Sequence, residues 1–598
     1  MTWLLPLAVI LPLAGAGVTL VASRRPRVQR VISVGVLATQ LLVELTMLLQ
    51  VTANGTMVMH VGGWTAPFGI TLVADELAAF MLVVSSVVAL TVLIYAISQG
   101  MADESETPET PVSIFHPTFL ILATGVTNAF LAGDLFNLFV SFEILLTASY
   151  VLLTIGGTRE RLRAGAPYIV VSLLSSLIFL AAIAMIYAAT GTVNMADLSV
   201  KLPQVAPGIV ATLQAMLLVA FGVKAAVFPM SAWLPDSYPS APAPATAVFA
   251  GLLTKVGIYA IIRVQTLLFP PGSFGTLLMI AALLTMLIGI LGAIAQSGIK
   301  RILSFTLVSH IGYMLFGIAL ASQTGLGAAI YYVAHHILVQ AALFLGAGMI
   351  ERVAGTTVLA RVGGLATAAP VLAIVFFIPA MNLAGVPPLS GFLGKVGLFE
   401  AGVQDGRVLA LILVAGGALT SLLTLYAIVR VWGRAFWRPV PEVVEPEDER
   451  DALQTESGRP LAVRRRAQQE ARRRVASEEA ARLPIGMVGA TTAIVAVGLL
   501  MTFAAGPIYA LTDQAAANLL NRSVYVDAVL DAGVPAPPGA SDVTNSGAGP
   551  TDAPTNLPAE SPADTPTAGS GADSIPSAGS LANPTASSIT ATGQGSGS

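Results

Sequence analysis

The sequence predicts an all-α polytopic membrane protein with about 14 transmembrane helices. Hydrophobic residues make up 55% of the 598 residues and charged residues only 11%, whereas soluble domains carry roughly 25% charged residues. Apolar stretches of about 20 residues, which is the length needed to cross a bilayer, follow one another along most of the chain. So few charges could not cover a soluble body of this size.

The apolar windows are spread along the chain, with seven helices predicted near residues 3–22, 29–51, 76–98, 113–132, 134–156, 166–189 and 209–230. Seven more are predicted near residues 241–266, 275–296, 301–321, 326–352, 368–400, 408–437 and 484–511. No basic segment precedes the first window and arginines follow it, which indicates a retained helix and not a cleaved signal peptide. Lys and Arg concentrate in alternate loops, so the positive-inside rule predicts that both termini lie outside.

Helices four to eight and nine to thirteen form two sets of five. An odd-numbered repeat must insert in opposite orientations, so we predict two inverted five-helix repeats with broken helices. The predicted units are three N-terminal helices (1–112), the first repeat (113–266), the second repeat (275–437), a charged cytoplasmic linker (438–483), the last transmembrane helix (484–511) and a disordered external tail (512–598).

Two of these units lie outside the predicted bundle. The linker is either a solvated loop or a segment attracted to anionic lipid headgroups or to a partner subunit. From about residue 534 the chain consists mostly of Pro, Ala, Gly, Ser, Thr and Asp, a composition that cannot bury enough apolar surface to fold. We expect the tail to have no catalytic role.

Four ionisable side chains lie far from the ends of apolar segments: Glu143, Lys224, Lys255 and Lys395. A charge near the centre of a bilayer costs a few kcal/mol, so such residues usually have a buried partner, line a water-filled path or relay protons. The pattern indicates ion movement through a membrane.

The segments around Lys224 and Lys395 contain helix-interrupting residues. The first reads VKAAVFPMSAWLPDSYPSAP and the second NLAGVPPLSGFLGKVGLFEAG. Proline and glycine interrupt helical hydrogen bonding and free backbone carbonyls near the charge, so we predict broken helices on a transport path. The alternative is that the prolines only kink packed helices.

Glu143 begins a polar face that continues through Thr147 and Tyr150. We predict that its carboxylate pairs with Lys224, since an acid–base pair in a low dielectric couples the two protonation states. The lysine would then carry a proton that it releases when the carboxylate is neutralised. A structural glutamate with a permanent partner is the alternative.

Further candidates follow Lys224 along the chain. Lys255 lies near the middle of its helix, where burial disfavours the charged form of a lysine and permits proton exchange. His310 follows Thr306 by four residues, and His336 lies between Tyr332 and Gln340 at the same spacing. The two histidines are candidate relay members or hydrogen-bonded core residues. His335 faces another direction and is the weaker candidate, while Arg263 and Arg430 are expected to extend to the membrane surface.

The chain has no cysteine, which excludes disulfides, iron–sulfur clusters and thiolate metal sites. We predict no cofactor, no bound metal and no nucleic-acid partner. The membrane acids are few, whereas hard cations require clustered oxygens, so proton handling is predicted more firmly than sodium binding.

Four stretches resemble a known family: GDLFNLFVSFEILLTASY, KAAVFPMSAWLPDSYPSAPAPATAVFAGLLTKVGIY, GIKRILSFTLVSHIGY and NLAGVPPLSGFLGK. They are similar to the antiporter-like membrane subunits of respiratory complex I, membrane-bound hydrogenases and Mrp-type multisubunit cation/proton antiporters. The resemblance covers about residues 1–511. LFNLFVSFE and GALTSLLTLYAIVRVWGRAFW are most similar to the D subunit of the Mrp antiporters.

The resemblance implies a proton-translocating subunit of a hetero-oligomeric Na⁺/H⁺ antiporter in a prokaryotic cell membrane. The proton motive force would drive sodium efflux for sodium tolerance and alkaline pH homeostasis. Glu143 and Lys224 would be the family's glutamate–lysine pair, and Lys255 and Lys395 would continue the path. Many relatives carry a lysine where this chain has Gln340, so His336 would serve at that step together with water.

Two other functions are compatible with the sequence. A pump module of a complex I-like NADH:quinone oxidoreductase or membrane-bound hydrogenase would use the same lysines, driven by quinone chemistry on other subunits. A largely structural subunit would use its buried charges only to hold helices together, and it would tolerate exchange of lysine for arginine better than a relay would.

Overall fold

The computed structural model describes residues 1–100, 114–439 and 483–533, and these are almost entirely helical. The prediction of an all-α membrane protein is confirmed, with one addition. Strands β1 (Met57–His60) and β2 (Thr71–Ala74) pair as an antiparallel hairpin between two long helices. These strands are four residues long, too short to give an alternating pattern that stands out from an apolar chain.

The helices of the first half are α1 (Leu4–Val21), α2 (Pro26–Asn54), α3 (Glu76–Gln99), α4 (Phe115–Leu131), α5 (Leu135–Thr154), α6 (Arg159–Thr190), α7 (Met195–Lys201) and α8 (Pro207–Ala225). Aspartate side chains cap the N-termini of two of the long helices. Asp75 accepts a hydrogen bond from the amide of Ala78 at the start of α3, and Asp134 accepts one from Asn137 at the start of α5. These caps satisfy amides that have no partner within the helix.

The remaining helices are α9 (Trp233–Ser237), α10 (Ala243–Val248), α11 (Thr254–Leu267), α12 (Gly275–Ile294), α13 (Ile299–Leu320), α14 (Gln323–Ala354), α15 (Leu365–Ala368), α16 (Pro370–Ala384), α17 (Ser390–Asp405), α18 (Val408–Trp432), α19 (Ile485–Phe503), α20 (Ala505–Leu520) and α21 (Arg522–Leu530). A π-helical turn, Phe249–Leu253, joins α10 to α11, and a second, Gly433–Trp437, follows α18.

Within the described residues, 12 helices are long and apolar enough to cross a membrane, where α10 and α11 count as one. Two shorter apolar helices, Phe115–Leu131 and Pro370–Ala384, lie where two further spans were predicted. The exact number of spans and the inverted repeat stay predictions. The chain is a multi-pass membrane protein.

Three predicted boundaries are corrected. The span predicted over 368–400 is two helices, α16 and α17, because the backbone breaks at Gly385. The span predicted over 484–511 ends at Phe503, and a second helix begins at Ala505. Residues 512–530 are helical, so the described part of the predicted tail is folded. The rest of the tail, and the linker from 440 to 482, lie outside the described residues.

The bundle has an enclosed centre and an exposed perimeter. The apolar windows of Ala243–Leu267 and Gln323–Ala354 are buried along their whole length, whereas only 28% of the window of Val408–Trp437 is buried. A helix that is apolar on all sides and enclosed belongs to the core of a membrane bundle, and one that is apolar and exposed faces lipid. Lys255, His335 and His336 therefore lie on elements shielded from lipid.

Candidate functional site

Lys224 lies at a helix break, as the sequence predicts. Helix α8 ends one residue after it, and Ala226 has a left-handed backbone with φ of 59°. The indole of Trp233 donates to the carbonyl of Val223 at 3.1 Å, which gives a carbonyl of the last turn of α8 a side-chain donor in addition to the amide of Ala226. The ammonium group is buried and lies 4.8 Å from the centre of the Phe142 ring.

Glu143 and Lys224 are joined through a serine. The hydroxyl of Ser176, in the middle of α6, donates to Oε1 of Glu143. The same hydroxyl oxygen accepts a hydrogen bond from Lys224 Nζ at 3.0 Å. A hydroxyl can donate once and accept at the same time, so Ser176 links the acid to the base. The structure brings the predicted pair together, and it adds a bridging group that the sequence analysis missed.

Lys255 follows the π-helical turn. Its side chain is completely buried, and Nζ donates to the carbonyl of Ala250 at 2.6 Å. A π-helical turn shifts the backbone hydrogen-bond register, which makes this carbonyl available. Gly257 sits so close to α8 that a Cβ atom there would lie 2.8 Å from the amide nitrogen of Ala225. The helix that carries Lys255 therefore packs directly against the break beside Lys224.

His310 and His336 lie next to each other in the structure. Their ring centres are 5.3 Å apart, and His310 Nδ1 shares a hydrogen bond with the Tyr332 hydroxyl at 2.7 Å. The structure thus brings these two candidate residues together, with Tyr332 beside them.

Several polar atoms beside His336 lack protein partners. Both of its ring nitrogens and Oε1 of Gln340 are buried, with no hydrogen-bond partner among the described residues. Gln340 Nε2 donates to the carbonyl of Leu303 at 2.8 Å. Buried polar groups without protein partners usually bind ordered water. The space beside His336 and Gln340 is therefore suited to hold water.

Lys395 lies on the second broken helix, α16–α17. Nζ donates to the carbonyls of Leu383 and Ala384, the last two residues of α16, at 3.1 and 3.0 Å. Gly385 follows with φ of 86°, and a Cβ there would lie 3.0 Å from Nζ. Glycine is required here by backbone conformation and by space. The freed carbonyls predicted from the sequence hold the lysine.

The comparisons with known proteins fit this geometry. The family model described as "NADH:quinone oxidoreductase/Mrp antiporter, TM" matches residues 132–424, a range that includes Glu143 and Lys395. The chain is 39% identical over 528 residues to the D subunit of the Na(+)/H(+) antiporter of Alkalihalophilus pseudofirmus, covering 88% of this chain and 98% of that protein. The chain belongs to the family of Na(+)/H(+) antiporter D subunits. The D subunit of the Bacillus subtilis antiporter is 34% identical over 527 residues, with the same coverage.

Solved structures also match this member of the D-subunit family. A chain of the Mrp complex from Dietzia sp. DQ12-45-1b superposes with a TM-score of 0.77 at 32% identity, covering 89% of this chain and all of that one. A chain of respiratory complex I from Thermus thermophilus superposes with a TM-score of 0.69 at 24% identity, covering 86% of this chain and 99% of that one. The second likeness concerns the fold alone.

Two sequence-based interpretations of individual residues change. Arg263 does not extend to the membrane surface, because it is 2% exposed and both of its terminal nitrogens bond to Asp75, at 2.6 and 2.9 Å. Burial alone would raise the pKa of the Asp75 carboxyl, but the Arg263 guanidinium outweighs it and holds the pKa below its usual range. The partner is 188 residues away, so no local pattern could reveal it.

His335 has a more specific place than the sequence suggested. Its Nδ1 shares a hydrogen bond with the Ser390 hydroxyl at 3.0 Å, and Ser390 begins α17. The amide of Asn382 in α16 also donates to this hydroxyl, at 3.1 Å. His335 therefore connects the central helix α14 to both sides of the second break.

Proposed function

We propose that this chain translocates protons within a multisubunit Na⁺/H⁺ antiporter, and that the proton motive force thereby drives sodium efflux for sodium tolerance and alkaline pH homeostasis. The proposed proton carriers are Glu143, Lys224, Lys255, His310, His336 and Lys395. The observation that carries the proposal is the Glu143–Ser176–Lys224 bridge, because it links a buried lysine to a protonatable carboxyl through a single hydroxyl.

The bridge allows a balanced proton shift. As Lys224 Nζ gives a proton to the Ser176 oxygen, the serine hydroxyl proton moves to Oε1 of Glu143. Both ends become neutral and the serine is unchanged. The reverse shift restores the ion pair, so the charge of the lysine follows the protonation state of the carboxyl.

The rest of the proposed path, after Lys224, uses different chemistry. Lys255 and Lys395 form no ion pair with a carboxylate among the described residues, and both are held by backbone carbonyls. The carboxyl ends of helices favour cations through the aligned peptide dipoles, which supports Lys395 as a carrier at the end of α16. Between these lysines, His310, His336 and water at Gln340 would pass the proton onward.

Antiport is proposed in preference to redox-driven pumping because of the relatives. Those at 39% and 34% identity are named as D subunits of Na(+)/H(+) antiporters, whereas the likeness to the complex I chain is one of fold. We further propose that the chain works as part of a secondary transporter and is not an enzyme. It would assemble with other membrane subunits in a prokaryotic cell membrane, with both termini outside.

The proposal is tested by sodium-dependent proton flux in everted vesicles that contain the whole complex. Lys224→Ala and Lys224→Arg should both lose most of the flux, because alanine carries no proton and arginine does not release one. The control is Lys201→Ala, which removes a half-exposed lysine paired with Asp197 in α7. Full flux in an assembled Lys224→Ala complex would overturn the proposed relay.

A further inference from the structure

A second buried polar cluster lies between α2, α3 and α4, among the N-terminal helices. Its centre is Glu44, which has no solvent exposure. Gln40 Nε2 donates to Glu44 Oε1 at 2.9 Å and to Thr127 Oγ1 at 2.7 Å, and the Thr127 hydroxyl lies 3.4 Å from Glu44 Oε1. The Ser86 hydroxyl adjoins the same carboxyl. None of the ion pairs found among the described residues includes Glu44.

Two buried oxygens of this cluster have no hydrogen-bond partner among the described residues. They are Oε2 of Glu44 and Oε1 of Gln40. An amide oxygen and an ionised carboxylate oxygen can only accept hydrogen bonds or coordinate a cation. Unsatisfied buried oxygens are costly in a membrane interior. The cluster is therefore built to receive a cation or a proton.

The charge of the cluster favours a monovalent ion. The cluster has one carboxylate, and its other oxygens belong to uncharged amide and hydroxyl groups. A monovalent cation would bring its net charge to zero, whereas a divalent cation would leave an excess positive charge. Among the described residues there is no group of three or more His, Cys, Asp or Glu side chains of the kind that holds a metal ion. Oxygen ligands match hard cations. If the Gln40 amide turned over, its oxygen would join those of Glu44 and Thr127 around one point.

We propose that Glu44, Gln40, Thr127 and Ser86 form a binding site for a dehydrated monovalent cation of the sodium class, in competition with a proton on Glu44. This inference rests on the proposed antiport function and assigns its cation to the N-terminal helices. Proton transfer at Lys224 and cation binding at Glu44 would then be carried by different parts of the same chain.

The surroundings support direct competition between the two ions. Helix α1, which packs against α2, has no ionisable side chain. The titratable groups of α3 are Glu76 and Tyr95, ten and nine residues from Ser86 along the helix, or roughly 14–15 Å. Within α2 the nearest charge is Arg30, fourteen residues before Glu44, or about 21 Å away.

The remaining neighbour, α4, carries His116 near its start. His116 Nδ1 shares a hydrogen bond with the Ser33 hydroxyl at 2.8 Å. The Ser33–His116 and Glu44–Thr127 contacts have the same sequence separation of 83, so α2 and α4 run in parallel. His116 is then about 16 Å from Glu44 along the helices. Within helices α1 to α4, no lysine or arginine side chain therefore lies beside the carboxylate.

The test is the sodium dependence of proton flux in vesicles with the whole complex. Glu44→Gln should raise the apparent KM for sodium by about tenfold or more. Thr127→Val should raise KM by a smaller factor. Thr46→Val is the matched control, because Thr46 lies on the exposed face of α2 and bonds to its own helix; its KM should be unchanged.

An unchanged KM for sodium in assembled Glu44→Gln complexes would overturn the proposal and leave Glu44 as a protonated structural group. If the Glu44→Gln complex does not assemble, the KM for sodium is measured in Thr127→Val and Ser86→Ala instead. Normal KM values in both variants would overturn the proposal. The result is separable from the proposed relay, because Lys224→Ala should lose flux at every sodium concentration. Full flux in Lys224→Ala would refute the relay without affecting the KM comparison.

Discussion

The two helix breaks hold their lysines in different ways. Lys224 lies before its break and contacts a carboxyl through the Ser176 hydroxyl. Lys395 lies after its break and contacts the carbonyls of Leu383 and Ala384. A carboxyl can lose its charge, whereas backbone dipoles are permanent. The first break is therefore suited to switch the charge of its lysine, and the second to provide a constant site for a proton that arrives and leaves.

The largest effect is expected at the second break. Lys395→Ala removes the proposed proton carrier, and Lys395→Arg places a permanent charge against the same carbonyls. Both should reduce sodium-dependent proton flux by at least about a hundredfold, or ~2.7 kcal/mol. Flux in everted vesicles at matched complex levels measures this. If Lys395→Arg supported normal flux, Lys395 would need only its charge, and the second break would be structural.

The Asp75–Arg263 pair provides a contrast, since it is a buried ion pair with direct contacts and no bridging hydroxyl. Asp75→Asn leaves a buried guanidinium without its counter-ion and should destabilise the protein by about 3–5 kcal/mol. Thermal unfolding of the purified complex measures the loss. An unchanged unfolding temperature would show that the pair is dispensable.

The same pair has a defined pH dependence. The pKa of Asp75 is lowered in the folded protein. Its contribution to stability is therefore present above the ordinary aspartate pKa, about 3.9, and is lost as the pH falls through the lower value of the folded state. The difference in unfolding temperature between wild type and Asp75→Asn should be full at neutral pH and shrink only in acid below that ordinary value.

Glu143→Gln is expected to have a smaller effect than loss of either lysine. Glutamine keeps an oxygen for the Ser176 hydroxyl but cannot take up a proton, so flux should fall by about tenfold, ~1.4 kcal/mol, and its pH dependence should flatten. Glu400→Gln is the control, because this exposed glutamate lies on α17, the helix that carries Lys395. A wild-type pH profile in Glu143→Gln would contradict a switching role for the first break.

The smallest effect is expected from Gly385→Ala. The left-handed backbone at residue 385 costs alanine about 1–2 kcal/mol, and the added Cβ would also press on Lys395. Gly406→Ala is matched in backbone, with φ of 71°, but nothing lies within 4 Å of its added Cβ. Both should lower stability, and Gly385→Ala alone should reduce flux, by about two- to fivefold. Equal flux in the two variants would show that the contact between residue 385 and Lys395 does not affect flux.

The sequence predicts much of this architecture because its strongest signals are local. Apolar windows locate the long helices, and Pro and Gly beside Lys224 and Lys395 indicate the two breaks. Charged residues within apolar windows identify the four ionisable candidates directly. Each of these inferences depends on residues that are close together in the chain.

The missing parts depend on residues that are distant in the chain. Ser176 resembles any serine in a membrane helix, where the hydroxyl commonly bonds to its own backbone, and its role appears only when α5 and α8 lie beside it. The partner of Arg263 is equally remote in sequence. Glu44 and its partner Gln40 lie inside the predicted window 29–51, but Thr127 and Ser86, which complete the cluster, come from other helices. Helices α20 and α21 lie mostly beyond the last long apolar window, so the hydropathy pattern did not predict them.

A double-mutant cycle at the first break tests the central claim most directly. Proton flux would be compared among wild type, Glu143→Gln, Ser176→Ala and the double variant, with Ser176→Ala plus Lys395→Arg as the reference pair. If Ser176 links the acid to Lys224, Ser176→Ala should reduce flux in the wild type but add little once Glu143 is glutamine. Full additivity of Glu143→Gln and Ser176→Ala would contradict the bridge.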